Sequence, residues 1–406
     1  MRRGHMKKII CVLFATAFAF SLTACNEPDP TPTPGGDGGT DETYESKLFD
    51  GMDAVFDESL GYYNEHPSVI QDGATRWLFY TRNTAKYEAK DSIAVRKGTF
   101  SSGTWTYGDP ITCITPTGGK WDSASVYNAD VVKGAFSYQG EDYSFLMAYS
   151  GSDRADRKDA DIGFAVAKTP DSEWVKVGDE PIVTFTSSEW DSVGLTYYPG
   201  AIEPSLVSYD MQGKVYLFYE ESEVFKSNYA YELDCSNLDS IVKGGRKIIE
   251  RTGITDLGTS NPLLYGADYV YDSDSDFLFA IREGRTTATA EPKVADEVQV
   301  LRSSMDVLYT VDQGIAQGEP RVWWEKVGDT IDDEATADMS DPSKLFGYTR
   351  IFSPCIVGDA YGRMIEYGRM EVMFTTQAND GDPRLPADRE DAYRFSQMIH
   401  TLEISY

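Results

Sequence analysis

Two carboxylates and an imidazole stand at the openings of short apolar strands, where acid–base chemistry is readily built. They are Asp130 in Asn128-Ala129-Asp130-Val131-Val132, Glu203 in Glu203-Pro204-Ser205-Leu206-Val207, and His66 in His66-Pro67-Ser68-Val69-Ile70. Asp268, in Ala267-Asp268-Tyr269-Val270-Tyr271, and Ser353, in Ser353-Pro354-Cys355-Ile356-Val357, hold comparable positions. A strand sends alternate side chains to opposite faces, so residues beside the strand-opening Pro or Ala can share one cavity. Two carboxylates converging on a polar pocket are what cleavage of a glycosidic bond requires: one stays protonated as acid, the other works as base or nucleophile. The competing reading is a solvated strand-start carboxylate for each acid and a hydrogen-bonded structural histidine for His66.

Two loops feed these strands. Trp121-Asp122-Ser123 precedes Asp130, and Trp190-Asp191-Ser192 precedes Glu203. Aromatic faces stack on sugar rings, so Trp121, Tyr197 and Tyr198 are read as walls of a sugar subsite, with Asp122 and Asp268 beside them. Trp190 is read as a plug between strands. Arg282 could reach inward to a carboxylate or hydroxyl, although a surface ion pair is its default. His66 and His400 are the histidines beyond the N-terminal segment, which excludes a multi-His metal site, and no nucleophile-elbow, phosphate-loop, dinucleotide or H-E-x-x-H pattern occurs. No cofactor is required.

What must position these residues is a repeated unit of apolar strand, polar turn and aromatic strand. His66–Ile70 runs into Trp77–Thr81, Asn128–Val132 into Tyr143–Ser150, and Glu203–Val207 into Val215–Tyr219. Such a meander cannot bury both faces alone and must stack on its neighbours. The expectation is an all-β, five-bladed β-propeller over 48–406, with inner strands opening near 66, 129, 203, 268 and 354 around a central funnel. Gln397–Ile404 is expected to pair with the early residues Val55–Tyr63 and close the ring, because an open ring leaves an unpaired edge. Glu283–Asp296 and Thr330–Lys344 read as long loops.

The formal charge of −29 argues against a nucleic-acid partner, which needs a basic patch. The 26 Tyr and 19 Phe favour strands over helices. Lys7-Lys8, the apolar stretch Ile9–Leu22 and Leu22-Thr23-Ala24-Cys25 match a bacterial lipoprotein signal over 1–24. A lipid on Cys25 would anchor the mature chain to a membrane outside the cytoplasm. Residues 25–47, rich in Pro, Thr, Gly and Asp, read as a flexible tether. Cys113, Cys235 and Cys355 are an odd, widely spaced set and read as free thiols.

The strand openings His66-Pro67-Ser68-Val69-Ile70, Ala129-Asp130-Val131-Val132 and Ile202-Glu203-Pro204-Ser205-Leu206 resemble those of the five-bladed propeller glycosidases of glycoside hydrolase family 43 and the related family 32. The resemblance covers roughly 48–406. It implies action on arabinose, xylose or fructose linkages of a carbohydrate substrate. It implies Glu203 as general acid, Asp130 as the residue tuning its pKa, and a general base at the position of His66. That family places an Asp there, and its Glu stands one residue further from its Pro than Glu203 does. His66 as a neutral imidazole, or Glu65 with the strand start shifted by one, could take the base's place. If neither does, the funnel binds glycan without cleaving it. The resemblance also implies a cation in the central channel.

Overall fold

Five antiparallel sheets succeed one another along the chain. Their middle strands are near-continuous apolar runs, such as Trp77–Tyr80 and Phe145–Tyr149, because they are covered on both faces. The computed structural model describes residues 55–56, 61–185, 200–221, 227–251, 253–254, 264–284, 297–310, 324–332, 350–377 and 396–405. Residues 1–47, expected to be signal and tether and including Cys25, lie outside them, as do Trp190, Tyr197 and Tyr198.

Blade one comprises Asn64–Asp72, Thr75–Asn83, Asp91–Ser101 and Thr104–Tyr107, with Ile111–Ile114 also paired to the third strand. Blade two comprises Ser125–Tyr138, Glu141–Ser152, Asp161–Ala167 and Val175–Lys176. Blade three starts with Ala201–Ser208, Lys214–Glu221 and Ser227–Asp234, and extends through Lys247–Ile249 to Leu308–Thr310. Blade four is Tyr265–Asp272, Phe277–Gly284, Glu297–Ser304 and Glu325–Asp332; blade five is Arg350–Ile356, Arg369–Gln377 and Met398–Ser405. Inner strands touch in the order one, two, three, four, five, one, which is the closed ring of a five-bladed propeller. The outer strand Glu325–Asp332 overlaps a segment that reads as loop in the sequence; its Glu, Lys and Asp residues hide the strand pattern.

Closure follows the expected route in part. The Val55 N–H donates to Ile399 O at 2.9 Å, tying the chain's early residues to the last strand. The far end of the channel is stoppered by the turn after blade five's inner strand. Gly358 and Asp359 pair in parallel with Ile70 and Gln71 of blade one. Lys133 N donates to Ala360 O, Ser208 N to Tyr361 O, and Tyr271 N to Gly362 O, so one turn bonds blades two, three and four. Gly362 has φ +72°, and a Cβ there would lie 2.5 Å from Leu206 O, so this crossing demands glycine. With that end closed, the channel is approached from the strand openings. The three cysteines are free thiols.

Candidate active site

The mouth is built by one backbone device used five times. In each blade the inner strand takes three steps where its partner takes two: Glu65 to Ser68 against Thr81 to Phe79, and likewise Tyr127/Asp130, Ile202/Ser205, Tyr265/Asp268 and Phe352/Cys355. This is a one-residue β-bulge, which bends the strand and re-aims a side chain. The bulged residues are His66, Asn128, Glu203, Gly266 and Ser353, with φ of 54°, 49°, 53°, 50° and 48°. Asn and Gly adopt that left-handed region readily, whereas His, Glu and Ser pay about 1–2 kcal/mol each. Such strain is held only where the surroundings over-determine it, and it concentrates at functional sites. The preceding blade supplies part of that hold: Asn128 N donates to Thr81 Oγ1, Gly266 N to Glu220 Oε2, and Ser353 N to Glu283 Oε1.

Two of the strained residues meet. His66 Nε2 lies 3.1 Å from Glu203 Oε1, joining blades one and three across the mouth. Both line a cavity of about 30 Å³, with Pro67, Ala129, Pro204 and Pro354 around them. Burial pulls the imidazolium down in pKa, but the charge and hydrogen bond of Glu203 and the charge of Glu65 outweigh it, so His66 is held above its usual value. The contact with Glu203 thus favours the protonated form of the His66 imidazole.

Behind His66 stands a chain of charges that no sequence pattern announces. Glu65 Oε2 is 3.9 Å from His66 Nδ1, while Glu65 Oε1 is held by Arg157 Nη1 at 2.6 Å. Arg157, from a blade-two loop, also makes two 2.8 Å hydrogen bonds to Asp91. Ser125 and Tyr63 donate to the same Asp91 carboxylate. Burial raises the Asp91 pKa, but Arg157, Ser125 and Tyr63 overcome it and leave the group lowered. Glu65 is thus clamped within the wall beside His66.

One rung deeper, the same strands carry Ser68, Asp130, Ser205, Asp268 and Cys355. Asp130 accepts from Ser68 Oγ of blade one and Leu206 N of blade three, each at 2.5 Å. Asp268 accepts from Ser205 Oγ at 2.8 Å and Ile356 N at 2.9 Å, bracketing blades three and five. Burial raises Asp130 to about 6. Burial and then the charge of Asp130 raise Asp268 to about 8. Asp130 lines the same mouth cavity as His66 and Glu203, as its strand opening implies. The bulge register makes Asn128 the positional equivalent of those two and puts Asp130 two residues further on, with both oxygens engaged between blades. Among the described residues no group of three or more His, Cys, Asp or Glu could hold a metal. Asp130 and Asp268, the carboxylates below the mouth, already accept hydrogen bonds between blades.

The remaining predicted residues fall elsewhere. Trp121 stacks on Tyr149 at 5.5 Å, and its ring occupies the space that a Cβ on Gly151 or Gly163 would fill, so it covers the face of blade two. Asp122 is 1% exposed and accepts from Lys176 Nζ and Tyr149 Oη, a structural role. Arg282 is fully buried and donates to Gln299 Oε1 at 2.6 Å. None of these three lines the mouth cavity, whereas Asp268 does. The Trp121 slot had a signal in the paired glycines; the Arg157 clamp had none.

No protein-family model matches the chain. No curated protein matches it in sequence. Solved structures do match it in fold. A glycoside hydrolase superposes with a TM-score of 0.52 at 11% identity, over 87% of this chain and 91% of that one. The BT0996 complex with RGII superposes with a TM-score of 0.50 at 10% identity, over 86% and 90%. A family 117 glycoside hydrolase from the marine bacterium Zobellia galactanivorans gives 0.49 at 13% identity, over 89% and 91%. The fold is that of the five-bladed propeller glycoside hydrolases.

Proposed function

We propose that the protein is a glycoside hydrolase-like propeller acting on a polysaccharide or oligosaccharide, with His66 and Glu203 as its proton-transfer pair. The observation that carries this is the 3.1 Å contact of two strained, ionisable side chains from blades one and three at the open end of the channel. Glu203 raises the pKa of His66 and so favours a proton on the imidazole. In this reading His66 is the general acid and Glu203 the carboxylate base, the reverse of the roles the family pattern gives these positions. A sugar entering between them parts the contact and leaves acid and base on two sides of the glycosidic bond. Asp130 and Asp268 brace the blades below, and no cofactor takes part. The substrate carries arabinose, xylose or fructose linkages. A lipid on Cys25 and the tether over 25–47 hold the propeller, 48–406, at a membrane surface outside the cytoplasm of a bacterium. The charge of −29 keeps nucleic acid away.

One observation favours a second reading. An inverting pair stands about 6.5–9.5 Å apart, and 3.1 Å is contact. A mouth that stays closed this way would bind glycan ends without cleaving them. Reducing-sugar release from arabinan, xylan and fructan by wild type and Glu203→Gln separates the two. Release by wild type and its loss in the variant supports hydrolysis; binding of a glycan with no release supports the second reading.

A further inference from the structure

The seam between blades five and one differs from the others. The buried apolar cluster there holds nine residues, against twenty where blades two and three meet, among the described residues. Beside it opens a cleft of about 790 Å³, within the range of small-molecule sites. It is lined by the blade-one turn at Gly73-Ala74 and by Met364–Glu366 of blade five. Those segments follow the ends of inner strands, so the cleft lies on the face opposite the mouth.

Its walls are apolar and its floor is charged. Phe100 is 51% exposed and packs at 5.2 Å from Trp105 on one side; Ile365, 46% exposed, stands on the other. Six large apolar side chains are exposed among the described residues, and two of them, Phe100 and Ile365, line this one cleft, the pairing expected of an interaction site. At the floor, Arg76 donates to both Glu371 oxygens at 2.8 and 2.5 Å and lies 4.2 Å over the Trp105 ring. The Thr401 hydroxyl donates to Glu371 Oε1 at 2.7 Å. Arg369 and Glu403 pair at the rim.

We propose that this cleft is a second, non-catalytic binding site for a neutral saccharide. Sugar rings present C–H faces to aromatic walls and hydroxyls to paired donors and acceptors, and this cleft offers both. A wholly apolar ligand would strip water from Arg76, Glu371 and Thr401 with nothing in return. A polyanion would meet Glu366, Glu371 and Glu403 in a chain of net charge −29. The site does not depend on the chemistry at the mouth.

The test is retardation of the full chain in native gels cast with arabinan, xylan or a fructan, followed by calorimetric titration of an oligosaccharide of the retarding polymer. Phe100→Ser, at a half-exposed position, and Trp105→Ala are compared with His66→Ala and Glu203→Gln, all checked for native thermal melts. The expected result is a loss of about tenfold or more in affinity in the cleft variants, with one binding event surviving in the mouth variants. Binding that is lost only in the mouth variants overturns the proposal. So does retardation by polygalacturonate alone, or no retardation of folded wild type by any of the neutral polymers.

Discussion

At the mouth, His66 and Glu203 hold strained backbone and touch each other beside the open cavity; one rung down, Asp130 and Asp268 sit on relaxed strand and tie blades together. The same five inner strands supply both rings. What separates them is the bulge: the residue inside it is turned toward the channel opening, and the residue after it is locked among neighbouring N–H and hydroxyl groups. Strain and an ionisable pair at the opening mark the ring proposed to do chemistry, while hydrogen bonds between blades mark the ring that carries the fold.

The comparison breaks first on activity. Glu203→Gln and His66→Ala are expected to lower glycan turnover by about 10²–10⁴ while shifting the thermal midpoint little, because each removes a mouth group and leaves the axial brackets intact. An equal loss from Asp130→Asn would erase the distinction between the rings. Next come the brackets. Asp130→Ala strands the buried Leu206 N–H and is expected to cost about 1–3 kcal/mol in denaturant unfolding. Asp268→Asn should cost much less than Asp268→Ala, since the amide mimics the protonated acid that the raised pKa favours.

The pH dependence sharpens the contrast. Asp130 and Asp268 are raised to about 6 and about 8. A carboxyl raised on folding contributes stability that is complete below its unfolded pKa and lost as pH climbs through the folded one. His66, also raised, acts in the same direction above its ordinary value. Unfolding midpoints should therefore fall from about pH 4 to about pH 8, and Asp268→Asn should flatten the upper part of that slope. A midpoint constant across this range would contradict the axial account. The smallest effect is expected at Ser353. Its φ of 48° lies in the region glycine adopts freely, so Ser353→Gly should change stability by less than about 1 kcal/mol, toward stabilisation, and leave turnover untouched.

Much of this was legible in the chain. The inner and middle strands show as apolar runs because they are buried on both faces, and the five openings show because Pro or Ala follows each bulge. His66 and Glu203 stood out for the same reason. Asp130 lines the mouth cavity as its strand opening implies, but its depth below His66 and Glu203 is not legible because a bulge is a backbone event: Ala129 gives no mark comparable to Pro67 or Pro204, and Asn128, a residue tolerant of positive φ, is the only local sign. Trp121 and Asp122 read as mouth residues because a loop's landing place depends on distant glycines. The Arg157 clamp on Glu65 joins residues 92 positions apart in two blades, and nothing local encodes it.

His66 and His400 are the histidines of the propeller, and His400 is fully buried and pushed down to about 4, so their imidazole signals are separable by titration. Following the His66 ring by NMR from pH 5 to 9 asks whether Glu203 and His66 act as a pair. The account predicts a His66 pKa above 6.5 that drops in Glu203→Gln. A value at or below 6.5 in the wild type, unmoved by that substitution, would contradict it.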